Sequence, residues 1–177
     1  PEPVAKKLPD KQPEEFRLLT VSAYYPHKNL EIIPSVIDAL KNHPVGKNTR
    51  FVLTLKPADY QRIIPPKYQN HVYNVGPIPV KEGPSLYKEC DAMFLPTLLE
   101  CFSANYPEAM AMGLPILTSD LDFAHSICHD AALFFNPTDP AQIAENIIKI
   151  AESRSLREEL IKKGKQNLLH ANKIIYL

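Results

Sequence analysis

Short apolar runs alternate along this chain with segments whose apolar residues recur every three or four positions. The runs have the length of buried strands, and the segments between them have the period of helices that bury one face. The strand candidates are the runs 17–23, 50–56, 71–76, 91–97, 115–120 and 131–135. Near-continuous apolar strands that alternate with helices predict an α/β fold, a Rossmann-like doubly wound parallel sheet with helices on both faces.

Local signals mark where several helices begin. Segment 29–41 has helical spacing after the first strand. Near the end of the chain, Asp139 is a predicted N-cap, with Pro140 at the first helical position. A last helix is expected to open at Ser155.

The first fifteen residues differ from the rest. Residues 1–15 are rich in proline and charge and show no apolar period, which is typical of a linker between domains or of the edge of a fragment. Residues 16–177 are predicted to form one domain.

Composition narrows the function classes. Lys plus Arg and Asp plus Glu number 20 each, so no overall field attracts nucleic acid or an anionic membrane, and phosphate binding has to be local. The three cysteines, which lack CxxC spacing, disfavour a disulfide framework and a zinc site. A reducing cytoplasm fits best, and no segment has the pattern of a membrane span or a signal peptide.

Two carboxylates follow the strand candidate 91–97. Ligands of open α/β sheets bind beyond the carboxyl ends of the strands. Glu100 lies in that loop, and a helix is expected to start at Ser103 or Asn105, which puts Glu108 in its first or second turn. The free amides of this helix start form an anion site suited to a diphosphate. The flanking carboxylates could accept hydrogen bonds from sugar hydroxyls.

The stretch from Glu100 to Asp120 resembles the E-x7-E signature of retaining GT-B glycosyltransferases, in particular family 4, and EAMAMGLPIL (108–117) matches closely. The resemblance extends over nearly the whole chain after residue 15. It also includes the HKN segment after the first strand, VGPI, LYKECDAMFLPT and DAALFFNPTDPAQIAENI.

The resemblance implies roles for individual residues. Glu100 would contact the transferred sugar and Glu108 the ribose hydroxyls, with Lys28 neutralising the leaving diphosphate. The backbone amides at the helix start would bind the diphosphate, and a further segment would hold the base. These donor-binding residues are Phe102, Ser103, Ala104 and Asn105 for the diphosphate, and Gly76, Pro77 and Ile78 for the base.

The sequence departs from the family pattern at three positions. Ala23 stands where an arginine partner of Lys28 is usual, and Cys101 and Ser103 replace glycines, which restricts the backbone near the phosphates. The resemblance further implies transfer with retention and neither a metal nor another cofactor. Lys28 and the helix start would act by electrostatic stabilisation of the leaving group.

Each candidate also has a structural explanation. Asn105-x-x-Glu108 fits a capping box, Glu100 could be a solvated loop residue, and Lys28 could be a surface charge. His27 could be a loop residue or a sugar ligand.

Two further patterns imitate metal sites. His125 and His129 have the i, i+4 spacing of a metal pair but lack an acidic residue between them. Asp120-Leu-Asp122 matches the DxD of unrelated GT-A enzymes and is interpreted as coincidence.

The sequence therefore predicts the donor-binding half of a glycosyltransferase, with a nucleotide-sugar as its partner and the N-terminal acceptor domain absent. That missing domain could make a peripheral membrane contact, and a nucleic acid is not expected as a partner. A GT-B nucleotide-sugar epimerase and a non-catalytic sugar-nucleotide-binding domain are the alternatives. Nothing in the residues identifies the base, the sugar or the acceptor.

Overall fold

A computed structural model describes residues 8–100 and 103–175 of the chain. All six predicted strands are present, each within or within one residue of its predicted run. The strands are β1 Phe16–Thr20, β2 Thr49–Leu53, β3 Val72–Asn74, β4 Ala92–Leu95, β5 Ile116–Ser119 and β6 Ala132–Phe135. They form one parallel sheet in the order β3-β2-β1-β4-β5-β6. This order is that of Rossmann folds, so the predicted fold class is confirmed.

Eight α-helices are assigned in the described part of the chain. They are α1 Ile33–Leu40, α2 Pro44–Asn48, α3 Pro57–Ile63, α4 Gly83–Lys88, α5 Asn105–Met112, α6 Asp122–Cys128, α7 Pro140–Glu152 and α8 Arg154–Ile175. Short 3-10 helices lie at Pro26–Lys28, Leu30–Ile32, Pro66–His71 and Val80–Glu82. Among the described residues, none of these helices combines the length and the apolar character that crossing a membrane requires.

The two faces of the sheet have separate apolar cores. Successive strand residues point to opposite faces, so Leu18 packs with α1 and α7, and Leu19 packs with α4 and α5. Both leucines are fully buried. Helices on both faces explain why the strands are apolar along their whole length.

Helix starts follow the sequence signals in part. Asp139 caps α7 as predicted, because its carboxylate accepts hydrogen bonds from the amides of Ala141 and Gln142. The prediction that Ser155 opens the last helix is wrong. The helix begins one residue earlier, at Arg154, and the hydroxyl of Ser153 accepts from Leu156 N at 3.2 Å.

The predicted helix at 29–41 is also shorter than expected. Its first turn is the 3-10 helix Leu30–Ile32, and regular α-helix starts only at Ile33. Pro34 lies in the first turn of α1, where the missing N–H of proline has no helical partner to lose.

Residues 8–15 pack against the amino ends of the strands. Leu8 is buried, and the carbonyl of Pro9 accepts from the guanidinium of Arg17 at 2.8 Å. Arg17 is fully buried in β1 and pairs with Glu15, which is also buried. The interpretation of residues 1–15 as a linker stays a prediction.

Candidate functional site

The strand order places a crevice between β1 and β4. The connection after β1 leads to one side of the sheet and the connection after β4 leads to the other. At such a switch point the two loops separate and leave room for a ligand at the carboxyl ends of the strands. The loop after β1 carries Lys28, and the loop after β4 carries Glu100.

Lys28 and Glu100 meet across this crevice. The Lys28 ammonium donates a hydrogen bond to Oε1 of Glu100, and the two groups form an ion pair. Their side chains retain only 16% and 10% of their exposure, respectively. The structure therefore brings together the two residues that the sequence predicts as catalytic, and it excludes the interpretation of Glu100 as a freely solvated loop residue.

The two loops are also joined through the residues next to Lys28. The carbonyl of His27 accepts hydrogen bonds from Leu98 N at 2.7 Å and from Thr97 Oγ1 at 3.0 Å. The His27 ring stacks on Tyr25, with 5.6 Å between the centroids. These contacts give His27 a place in the loop structure, and a role of its ring as a sugar ligand stays an alternative.

Asn29 links three loops at this end of the sheet. Its Nδ2 donates to the carbonyl of Pro96 at 3.1 Å and to that of Pro137 at 2.8 Å. Its backbone is left-handed, with φ of 55°, a conformation that asparagine tolerates better than most residues. Sequence reasoning missed this role, although an asparagine just after a short turn is a usable signal.

The start of α5 differs from the prediction. Neither Ser103 nor Asn105 is the N-cap, because Ala104 occupies that position and no side chain caps the helix. Asn105 is the first helical residue and is buried, and its Nδ2 donates to the carbonyl of Val21 at 3.0 Å. Ser103 is buried and Ala104 is exposed. Phe102 and Cys101 lie outside the described residues.

The backbone at this helix start matches the expected anion site in one respect. No acceptor among the described residues binds the amides of Ser103 and Ala104. The first amides of a helix carry the positive end of its dipole. Whether they bind a diphosphate stays a prediction.

Glu108 lies in the first turn of α5, as predicted, and is exposed. Its Oε2 accepts a hydrogen bond of 2.7 Å from the hydroxyl of Tyr87 on α4. The capping-box interpretation of Asn105 and Glu108 is wrong, because Asn105 is already helical and its side chain is engaged elsewhere. Burial and the hydrogen bond to Glu108 raise the pKa of Tyr87, so the phenol remains a donor.

A cavity of about 300 Å³ adjoins Glu108. Its wall is mainly apolar, and Glu108 and Tyr87 are among the residues that line it. The lining includes Val21, Ile78, Pro84, Tyr87, Glu108 and Met112. A mainly apolar cavity with a few polar groups is the usual form of a small-molecule site.

A second cavity, of about 360 Å³, lies over the ends of β1 and β2 and shares Val21 and Ile78 with the first. Pro77 and Ile78 line it, and Gly76 turns the chain into it with a positive φ of 75°. Of the three residues predicted to hold the base, two therefore line cavities at the crevice, and Gly76 shapes the turn.

Lys56 lines this second cavity together with Ala23. Ala23 is the position where the resemblance leads one to expect arginine, and the cavity that it lines has a cation in Lys56, between β2 and α3. Lys56 is exposed and has no ion pair among the described residues. Sequence reasoning missed it because a lysine after a strand carries no special pattern.

The patterns that imitate metal sites have other partners. His125 Nε2 lies 2.6 Å from Oδ1 of Asp120, and both side chains are substantially exposed. His125 also stacks on Phe134 with centroids 3.9 Å apart. Within the described ranges, no group of three or more His, Cys, Asp and Glu residues could hold a metal ion. The expectation that the site needs no metal stays a prediction.

Solved structures share this fold. A variant of S. aureus TarM in complex with Fondaparinux, alpha-GlcNAc-glycerol and UDP superposes with a TM-score of 0.77 at 14% identity, over 92% of this chain and 34% of TarM. WaaG, a glycosyltransferase involved in lipopolysaccharide biosynthesis, gives a TM-score of 0.74 at 19% identity, over 89% of this chain and 44% of WaaG. At these identities the likeness shows the fold.

The sequence of this chain is similar to a known mannosyltransferase and to a family of glycosyl transferases. The O-antigen chain mannosyltransferase RfbU of Salmonella typhimurium is 27% identical over 135 residues, which are 73% of this chain and 36% of RfbU. The chain thus spans about a third of the length of this relative. The sequence model described as glycosyl transferases group 1 matches residues 3–167. Because that match covers almost the whole chain, the protein belongs to the family of group 1 glycosyl transferases.

Proposed function

We propose that this chain binds a nucleotide-diphosphate sugar and forms the donor-binding half of a retaining glycosyltransferase of family 4 type. One observation carries the proposal: the loops after β1 and β4 hold Lys28 against Glu100 at the switch point of the sheet. The start of α5 and the cavity beside Glu108 border the same crevice. The Lys28–Glu100 pair and the start of α5 thus lie at the carboxyl ends of the strands, where Glu108 lines a cavity of about 300 Å³.

The diphosphate would lie between Lys28 and the amides at the start of α5. Negative charge grows on the leaving diphosphate as the bond to the sugar breaks. A fixed ammonium group and a helix dipole stabilise that charge more in the transition state than in the ground state. Glu100, which Lys28 orients, would contact the sugar, and Glu108 would accept hydrogen bonds from the ribose. The segment 76–78 would hold the base.

We infer the activity of the whole protein from what its relatives do. RfbU is an O-antigen chain mannosyltransferase, and WaaG takes part in lipopolysaccharide biosynthesis. We therefore propose hexose transfer in cell-surface polysaccharide assembly, with mannose as the first sugar to test. The acceptor domain would come from a part of the protein beyond this chain. A cytoplasmic location and a peripheral membrane contact through that domain remain predictions.

A calorimetric titration of this chain with UDP, GDP and ADP, and then with the corresponding sugar nucleotides, tests donor binding. We expect one base to bind, with a matching rise in the unfolding temperature, because a ligand that binds only the folded state stabilises it. Glu108→Gln should weaken that binding about tenfold, which corresponds to about 1.4 kcal/mol. Glu145→Gln, an exposed glutamate on α7, is the matched control and should bind as the unaltered chain does.

Absence of binding by all three nucleotides and their sugars would refute the proposal. In the parent enzyme, the anomeric configuration of the product, followed by NMR during the reaction, tests retention. An inverted product would refute the retaining mechanism and leave donor binding intact.

A further inference from the structure

Tyr87 is a buried tyrosine with a polar group directed at the candidate site. It is 2% exposed on α4, and its hydroxyl donates to Oε2 of Glu108 at 2.7 Å. The hydroxyl also lies 3.4 Å from Oδ1 of Asn105, a longer contact. Asn105 in turn donates to the carbonyl of Val21. A hydrogen-bonded chain therefore connects α4, the start of α5 and the loop after β1.

This contact decides where the Glu108 carboxylate points. An exposed glutamate on a helix has several staggered side-chain conformations of similar energy. The hydrogen bond from Tyr87 selects one of them, at the wall of the 300 Å³ cavity that both residues line. Oε2 is then occupied, and Oε1 receives no hydrogen bond from the described residues.

The chemical nature of Tyr87 as a hydrogen-bond donor matters as much as its position. A lysine or arginine at this place would neutralise Glu108 and weaken it as an acceptor. A phenol orients the carboxylate and leaves its negative charge in place. Hydrogen bonds in which the acceptor is ionised are about twice as strong as neutral ones. The free Oε1 is therefore a strong acceptor for a hydroxyl group.

We propose that Tyr87 is a positioning residue that holds Glu108 for the hydroxyls of a ribose, so that the site distinguishes ribonucleotides from deoxyribonucleotides. This inference rests on the proposed function, in which Glu108 meets the ribose of the donor. It goes further, because it assigns the selectivity to the pair of Tyr87 and Glu108.

Titration of the chain with UDP and GDP, and with their 2′-deoxy and 3′-deoxy counterparts, tests the inference. For whichever base binds, we expect the unaltered chain to bind at least one deoxy form about tenfold more weakly, the cost of one lost charge-assisted hydrogen bond. In Tyr87→Phe the ribonucleotide should bind about fivefold to tenfold more weakly and the deoxy form unchanged. The ratio of the two affinities should then approach one.

Tyr106→Phe is the matched control. Tyr106 is a fully buried tyrosine on α5 whose hydroxyl lies 2.8 Å from Thr118 Oγ1 and has no bond to Glu108. Loss of the Tyr106 hydroxyl should leave the ratio of ribonucleotide to deoxyribonucleotide affinity unchanged. If Tyr87 only stabilised the fold, its substitution would lower the affinities for the ribonucleotide and the deoxyribonucleotide equally. The ratio of the two affinities therefore distinguishes a positioning role from a stabilising one. If Tyr87→Phe does not fold, Tyr87→Met removes the same hydroxyl and allows the same comparison.

The outcomes separate the two proposals. If no nucleotide binds the unaltered chain, the proposed function fails. If ribonucleotides bind but the unaltered chain does not discriminate against either deoxy form, or if the Tyr87 variants retain the full ratio, the positioning role of Tyr87 is overturned while donor binding stands.

Discussion

Lys28 and Glu100, which are 72 positions apart in the chain, form an ion pair between the loop after β1 and the loop after β4. The pair neutralises Lys28 before any ligand arrives. It also orients Glu100, whose side chain is nearly buried. A diphosphate that enters the crevice therefore meets a cation that is held in place and a carboxylate that repels it.

This ion pair predicts that a single substitution of Lys28 weakens nucleotide binding more than a double substitution of Lys28 and Glu100. Lys28→Met should weaken the affinity for the nucleoside diphosphate by about tenfold or more, because a charge-assisted hydrogen bond is lost and Glu100 becomes an unpaired negative charge. Lys28→Met with Glu100→Gln should recover part of that loss. Calorimetric titration at low and high salt measures both effects.

Lys162→Met, on the exposed face of α8, is the control for the general loss of a positive charge. It should change the affinity by less than about twofold, since exposed charges are screened by solvent and salt. Equal affinities of Lys28→Met and Lys162→Met would contradict the placement of Lys28 at the phosphate.

Asn29 should contribute to stability through both its side chain and its backbone. Asn29→Ala removes the hydrogen bonds to Pro96 and Pro137 and forces alanine into a left-handed conformation. We expect a loss of about 2–4 kcal/mol in the free energy of unfolding. Asn29→Gly loses the same hydrogen bonds without the backbone penalty and should be destabilised by about 1 kcal/mol less than the alanine variant. Urea denaturation measures the difference.

An exposed asparagine, Asn70, serves as the control for this experiment. Asn70→Ala should change the free energy of unfolding by about 0.5 kcal/mol or less. If Asn29→Ala were as stable as Asn70→Ala, the contacts of Asn29 with the two loops would not contribute to the free energy of unfolding.

The buried pair of Arg17 and Glu15 should show non-additive effects. Arg17→Met leaves Glu15 as a buried, unpaired carboxylate, and we expect a loss of about 3–5 kcal/mol in the free energy of unfolding. Arg17→Met combined with Glu15→Gln should be more stable than Arg17→Met alone, because no buried charge is left without a partner. Chemical denaturation of the single and double variants completes the cycle. A double variant that is less stable than Arg17→Met would refute this explanation.

Two buried thiols should make stability sensitive to high pH. Burial raises the pKa of Cys90 and of Cys128 to about 12, from 9.0 for a free thiol. Since the folded pKa lies above the unfolded one, this contribution to stability is complete below pH 9 and is lost as the pH rises from about 9 toward about 12. In Cys128→Ala the free energy of unfolding should therefore fall less steeply between about pH 8 and about pH 10.5.

Ser126→Ala, in the same helix as Cys128, removes a hydroxyl that does not titrate in this range and should leave the slope with pH unchanged. Tyr60 and Tyr87 also have pKa values raised by burial, and they affect all these variants alike. Burial raises the pKa of Tyr106 and the Cys128 thiolate contributes to that rise, so the change of slope in Cys128→Ala includes this coupling. A slope for Cys128→Ala equal to that of the unaltered chain would show that the thiol of Cys128 does not ionise differently on unfolding.

Several elements of this protein are determined by the sequence alone. The six strands follow from short apolar runs, and the cap of α7 follows from Asp139 and Pro140. The sequence puts Glu108 in the first or second turn of the helix after β4, and it lies in the first. These features depend on a few neighbouring residues, whose side-chain period and backbone preferences act within one or two turns. The local pattern of the chain therefore carries them.

Tertiary structure decided the remaining features of the site. The N-cap of α5 is Ala104, although Ser103 and Asn105 are better capping residues. The side chain of Asn105 does not cap the helix because it donates a hydrogen bond to the carbonyl of Val21. The contacts of Lys28 with Glu100 and of Tyr87 with Glu108 join residues on separate elements. The order of the strands brings those elements together. Because a buried polar group without a hydrogen-bond partner is costly, polar side chains there pair with the nearest suitable group. No local pattern specifies such partners, since they are set by the packing of the whole sheet.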